Sequence, residues 1–190
     1  MQAAFDKKIR FVQISAGLDT AYSSKSPDTI SMIFQGITQD RKLIVLDERV
    51  YNNANMSNPI APSDTVRNFI DFLERNREVW GFARQVYIDS ADQATITELK
   101  KYKRQNPCLY NFNGAWKKTK IIDRINMQLG WLHTGDYLLC DTCRVHISEL
   151  EAYSWAQDKD NVPEDRNDHT INASQYGFLP YVKMIGEIKQ

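Results

Sequence analysis

Arg84-Gln85-Val86-Tyr87-Ile88-Asp89-Ser90-Ala91 decides how the rest of the chain folds. Val86 and Ile88 share one face of a short strand, and a helical pattern begins a few residues after the acid that ends it. Upstream, three extended segments occupy about Ile9–Ser15, Thr29–Gln35 and Lys42–Val50. Gly36-Ile37-Thr38-Gln39-Asp40 has the length and polarity of a hairpin loop between the last two. The polar stretch Asn52–Pro62 leads to a helix that Ser63 or Asp64 can cap, with Val66, Phe69, Ile70 and Leu73 at helical spacing.

Downstream of Gly81 strand and helix alternate. Ala91–Arg104 reads as a helix, Cys108–Phe112 as a strand, and Lys117–Leu129 as an amphipathic helix with Ile121, Ile122, Ile125 and Leu129 along one stripe. Tyr137–Cys140 suits another strand. Cys143–Trp155 suits a helix, although Val145 and Ile147 leave a strand open. Gln157–Arg166 is a charged loop, and a last helix covers Asp168–Phe178. Three meandering strands followed by this alternation is the order of a ribonuclease-H-like α/β fold with a mixed sheet. In such a sheet the first and fourth strands lie side by side.

The bulk composition narrows the function classes. One domain accommodates 190 residues with a substantial core. The formal net charge of zero means that any nucleic-acid contact relies on local basic patches. No apolar run reaches the roughly 18 residues of a membrane helix. Asp6-Lys7-Lys8 interrupts the place where a signal peptide keeps its apolar stretch. An odd count of three cysteines suits a reducing compartment.

Asp168, His169, Asn172 and Gln175 fall on one face of the last helix at three- and four-residue spacing. Asp19 follows the first strand-like run and Asp89 ends the fourth. Each has an ordinary reading: a turn aspartate after Gly17, a helix cap near Ala91, acids in a first helical turn. Together, oxygen and nitrogen donors from three distant segments suggest a divalent-metal site. The imidazole of His169 tilts the choice between Mn²⁺ and Mg²⁺ towards manganese. Cys140-Asp141-Thr142-Cys143 with His146 supplies three of the four ligands of a structural zinc and only the distant Cys108 could add another sulfur, so the cysteines read as core residues. No serine stands in a nucleophile-elbow sequence.

Several stretches in order resemble the nuclease domain of the large terminase subunit of tailed bacteriophages. They are Gly17-Leu18-Asp19 with Ser26-Pro27-Asp28-Thr29; Leu46-Asp47-Glu48; Val86 to Ala91; Ile147 to Trp155; and Asp168-His169 through Tyr176. The resemblance implies a ribonuclease-H-like fold and metal-dependent cleavage of double-stranded DNA during genome packaging, with a two-metal site. It implies Asp19, Asp89, Asp168 and His169 as catalytic metal ligands. The family commonly has an acid where Asn172 stands and often Arg where Gln175 stands, which weakens a ligand role at 172 and a phosphate contact at 175. Lys118 and Lys120 become the preferred phosphate contacts within the basic runs Lys100, Lys101, Lys103, Arg104 and Lys117, Lys118, Lys120.

No Gly-x-x-x-x-Gly-Lys-Ser/Thr occurs, so residues 1–190 are expected to be the C-terminal part of a longer ATPase-nuclease chain. The resemblance also implies portal and small terminase subunit as partners of that longer chain, and the cytoplasm of an infected bacterium as its place. Two rival readings stand beside it. One is a junction resolvase or transposase-like nuclease of the same fold; the other is a non-catalytic domain docking DNA or the portal.

Overall fold

β1 (Phe11–Thr20), β2 (Thr29–Thr38) and β3 (Leu43–Asn52) form an antiparallel meander. This computed structural model describes residues 9–20, 29–52, 60–116, 118–153 and 168–186. β2 is buried along its whole length, because it has a strand on either side and helices over both faces. Its sequence is therefore apolar nearly throughout instead of alternating. Gly36 belongs to this strand, paired with Ile14 and Ile44, and the expected loop at 36–40 shrinks to a turn around Gln39–Arg41. The Phe11 ring lies where a β-carbon at position 36 would stand, which is why a glycine occurs mid-strand.

α1 (Pro62–Trp80) begins one position before the expected cap: Ala61 is its N-cap and Pro62 opens the first turn. Proline suits that place because its missing N–H has no partner there in any case. Ser63 and Asp64 lie inside the first turn. Phe72 of α1 meets Phe34 of β2 edge-on at 6.3 Å, closing one face of the sheet.

β4 (Gln85–Ile88), α2 (Gln93–Gln105) and β5 (Asn111–Gly114) follow, with β5 three residues later than its sequence reading and parallel to β4. α3 (Ile121–Thr134), β6 (Tyr137–Leu139), α4 (Arg144–Ala152) and α5 (His169–Phe178) complete the order, with a short 3-10 turn at Leu179–Met184. The sheet order is β5-β4-β1-β2-β3-β6, and β1 pairs with β4 in parallel, as the sequence order required.

The inward face of α3 differs from the expected stripe. Ile121 and Leu129 of α3 are 47% and 52% exposed, while Arg124, Ile125 and Gln128 face inward. α3 packs partly against polar side chains of α5, with Gln175 Nε2 donating to Gln128 Oε1 at 3.1 Å, so its inner face is not purely apolar. Cys140 and Cys143 are buried core residues with free thiols. Residue Lys117 and the charged loop Gln157–Arg166 lie outside the described residues, as do Ser26, Pro27, Asp28, Ser154 and Trp155.

Candidate active site

Alternation along β1 puts Ser15, Gly17 and Asp19 on one face, and α5 lies along that face in the opposite direction. Ser15 Oγ donates to the Gly177 carbonyl at 2.9 Å, Gly17 lies under the Ala173 carbonyl, and Asp19 meets His169. The spacings match: four strand residues rise about 13 Å and eight helical residues about 12 Å. Small residues at positions 17, 173 and 177 let the helix come close to the strand. That close packing sets the position of His169.

Asp19 is the penultimate residue of β1, paired with Ser31, and not the turn residue its ordinary reading suggested. Asp89 leaves β4 at the same sheet end. Its N–H donates to the Leu18 carbonyl at 3.0 Å, and its Oδ1 accepts from Ala91 N at 2.8 Å. It does not cap the next helix. Asp92 does that, accepting from Thr95 N at 2.9 Å, and its other oxygen takes the Thr20 hydroxyl. The β1 terminus is thus tied to α2 one residue beyond Asp19.

His169 Nδ1 stands 3.1 Å from Asp19 Oδ2, and the Tyr176 hydroxyl also bonds to Asp19. Burial pushes the Asp19 carboxyl above its ordinary range, Asp89 adds to the rise, and His169 and Tyr176 oppose it. The hydrogen bond to Asp19 raises the His169 imidazole, burial opposes that, and Asp168 and Glu149 add to the rise. Tyr176 stays protonated, because burial and the nearby acids hold its phenol far up. Asp168 is the N-cap residue of α5, beside His169, and its carbonyl takes Asn172 N at 2.8 Å.

Two glutamates, which lie in stretches that carry the resemblance but received no role from the sequence, hold the helices in place. Glu48 of β3 accepts from Val145 N and His146 N, both at 2.8 Å, and so caps α4. Glu149 of α4 accepts from Thr170 N at 2.8 Å and from the Thr170 hydroxyl, anchoring the first turn of α5 next to His169. A caps relay therefore runs from β3 through α4 and α5 to Asp19. Behind it, His146 bridges the Thr170 hydroxyl at 2.8 Å and Tyr137 OH at 2.7 Å, and Tyr137 OH reaches Ser174 Oγ at 2.8 Å.

Burial lowers the His146 imidazole to about 3. With a folded value below the unfolded one, its contribution to stability is complete above about pH 6.5 and is lost as pH falls towards the folded value. Between pH 7 and pH 4 this amounts to roughly 3 kcal/mol. Buried carboxyls raised by burial, Glu149 among them, act with the opposite sign. Urea unfolding of the parent and a His146→Gln variant isolates the imidazole: the parent should lose that much more stability on acidification. Parallel pH profiles would exclude it.

Lys118 is exposed, with Nζ 5.0 Å from the centre of the exposed Trp116 ring, and Lys120 is the N-cap residue of α3. This loop leaves β5 just after Ala115 N donates to the Ile88 carbonyl, so it starts beside Asp89. Of the other basic run, Lys103 is engaged with the Tyr110 carbonyl and Asn111, and Lys101 with Glu98.

No family model and no curated protein matches the sequence. Solved structures do match. The large terminase of the thermophilic bacteriophage D6E superposes with a TM-score of 0.72 at 17% identity, over 93% of this chain and 40% of that one. The chain shares its ribonuclease-H-like fold with that structure. It spans about 40% of the D6E chain's length. The large terminase nuclease of thermophilic phage G20c, solved with bound cobalt, gives 0.55 at 14% identity over 89% of this chain and 85% of that one. The yeast mitochondrial Holliday junction resolvase gives 0.51 at 12% identity, over 96% and 86%.

The donor set suits a divalent cation. Asp19 is 5% exposed and shares its sheet end with a second carboxylate, whose charge works against its own ionisation. Two carboxylate groups with an imidazole is a donor set for a hard or borderline ion. Among the described residues no three His, Cys, Asp or Glu side chains stand close enough together to hold a metal ion. Asp19 and His169 are instead bonded to each other, and Asp89 holds the Ala91 amide.

Proposed function

We propose that this chain is a divalent-metal-dependent endonuclease that cuts double-stranded DNA, acting as the nuclease domain of a large terminase during phage genome packaging. The observation that carries the reading is the meeting of Asp19 and Asp89 at the ends of adjacent parallel strands, with His169 of α5 on Asp19. Asp19 and Asp89 would hold the metal, with His169 or Asp168 as third ligand; Lys118 and Lys120 would contact phosphates. When bound, a pair of such ions activates water and stabilises the leaving oxygen of a phosphodiester.

The chain's own groups prepare that site. His169 Nδ1 and the Tyr176 hydroxyl keep the buried Asp19 carboxyl in one orientation. Asp92 and Thr20 fix the strand end that carries it. Within this reading residues 1–190 belong to a longer ATPase-nuclease chain. That chain would meet the portal and the small terminase subunit in the cytoplasm of an infected bacterium. No helix among the described residues is long and apolar enough to cross a membrane.

Cleavage of linear plasmid DNA across three ions tests the proposal. Activity should be higher in Mn²⁺ than in Mg²⁺, because an imidazole ligand suits the softer ion, and Ca²⁺ should support little cutting. His169→Ala should narrow the manganese advantage, and His169→Asp should retain activity and accept Mg²⁺ better. Unchanged rates and ion preference in His169→Ala would transfer the third ligand to Asp168. Absence of metal-dependent cutting in the parent would leave a non-catalytic docking domain. A four-way junction cut faster than linear duplex would favour the junction resolvase, whose structure shares the fold.

A further inference from the structure

α3 turns two polar side chains inward one helical turn apart, Arg124 and Gln128. The Gln128 carbonyl oxygen is accounted for by Gln175, the residue before Tyr176. The Nε of Arg124 is not accounted for. The residue is 6% exposed, its Nε finds no acceptor among the described residues, and it forms no ion pair with an acid among them.

A guanidinium cannot shed its proton to escape burial. Withdrawing a charge from water without a counter-charge is costly, and an apolar side chain of similar length would fill the same space more favourably. The position is therefore poor packing design and good ligand design. Its surroundings point the same way. The Arg124 charge acts on the phenols of Tyr153 and Tyr176, and the Tyr176 hydroxyl bonds to Asp19. The Gln128 bond to Gln175 sets this face of α3 against α5 beside Tyr176, and Arg124 stands one turn nearer the start of α3. It also sits one turn into the helix whose entry carries Lys118 and Lys120.

We propose that Arg124 is a phosphate-contacting residue of this site, its guanidinium taking the non-bridging oxygens of a DNA phosphodiester brought up to Asp19 and Asp89. The proposal rests on the nuclease reading for its substrate. A planar fork of N–H donors matches two phosphate oxygens at once, and a lysine ammonium offers only a point charge. Removal from bulk water strengthens the contact.

The experiment uses the full chain and a fluorescein-labelled duplex, with Arg124→Met, Arg124→Gln and Arg124→Lys beside the parent. Affinity is measured in EDTA across a sodium chloride series, single-turnover cleavage in Mn²⁺, and thermal stability by melting. Loss of one phosphate contact lowers the slope of log Kd against log salt by about one. Arg124→Met and Arg124→Gln should show that drop, with cleavage slower by roughly 10²-fold or more. Their melting temperatures should hold or rise. Arg124→Lys should restore the slope and only part of the rate.

An unchanged salt slope in Arg124→Gln overturns the proposal, whether or not the protein is destabilised. So does equal loss of rate and stability in Gln and Lys variants, which would mark a structural role. Because the slope is read without metal or cleavage, it judges Arg124 even if the parent cuts no DNA, an outcome that would defeat the nuclease reading by itself.

Discussion

Asp19→Asn should reduce DNA cleavage by roughly 10³-fold or more, the scale seen when a central catalytic group is removed. The folded protein should be at least as stable as the parent at pH 7. Asparagine keeps the shape and an acceptor for His169 Nδ1, so the helix contact survives, but it offers a metal only a neutral oxygen. Stability follows from the carboxyl's position. Burial raises Asp19 above its ordinary range, with Asp89 adding to the rise. A raised folded value means that the group's stabilising contribution is complete below the unfolded value and is lost as pH rises through the folded one. Above the unfolded value the buried carboxyl is therefore a burden that the amide removes, and the gain should shrink towards pH 4. Asp89→Ala should also abolish cutting, since the two acids act as a pair. A plasmid assay and melting curves at both pH values check this. Parental cleavage by Asp19→Asn would remove Asp19 from the site.

The parts of this fold that the sequence reveals are those written in local periodicity. The apolar run of β2, the Val86 and Ile88 strand and the helical spacing around Phe69 each sit where they were expected. That Asp19 and Asp89 leave the sheet at the same end followed from topology, because β1 and β4 had to be neighbours, whereas the packing of α5 that brings His169 to Asp19 did not.

What escaped depends on partners far away in the chain. Gly36 looks like a turn residue, since nothing nearby shows that the Phe11 ring will cover it. The Ile121 and Leu129 stripe fails because α3 faces the Gln175 flank of α5 as well as the core. Glu48 and Glu149 cap helices about 100 and about 20 residues further along, outside any capping-box window. Arg124 looks like an ordinary surface residue until α3 is seen to bury it.

The close packing of α5 on β1 leads to the second large effect. A β-carbon on Gly17 would stand 1.8 Å from the Ala173 carbonyl oxygen and 2.7 Å from its carbon. Both are helix backbone, so no rotamer change relieves the clash, and the whole of α5 must lift by more than an ångström. Gly17→Ala should therefore cost about 3 kcal/mol, at the upper end of overpacking penalties. It should also slow cleavage by roughly 10²-fold in molecules that still fold, because His169 moves relative to Asp19. Two other glycines set the scale. At Gly177 the added carbon meets the end of the Gln35 side chain at 2.5 Å, a neighbour that can turn aside, though it must give up its bond to the Ser174 carbonyl. At Gly130, in α3, nothing lies within 4 Å, and alanine should stabilise the helix by up to about 1 kcal/mol. Urea unfolding of the three variants should rank them Gly17, Gly177, Gly130 from most to least damaging. Amide exchange should show faster opening of α5 in Gly17→Ala. If Gly17→Ala matched the parent in stability and rate, the contact between Gly17 and Ala173 would not be what sets His169 against Asp19.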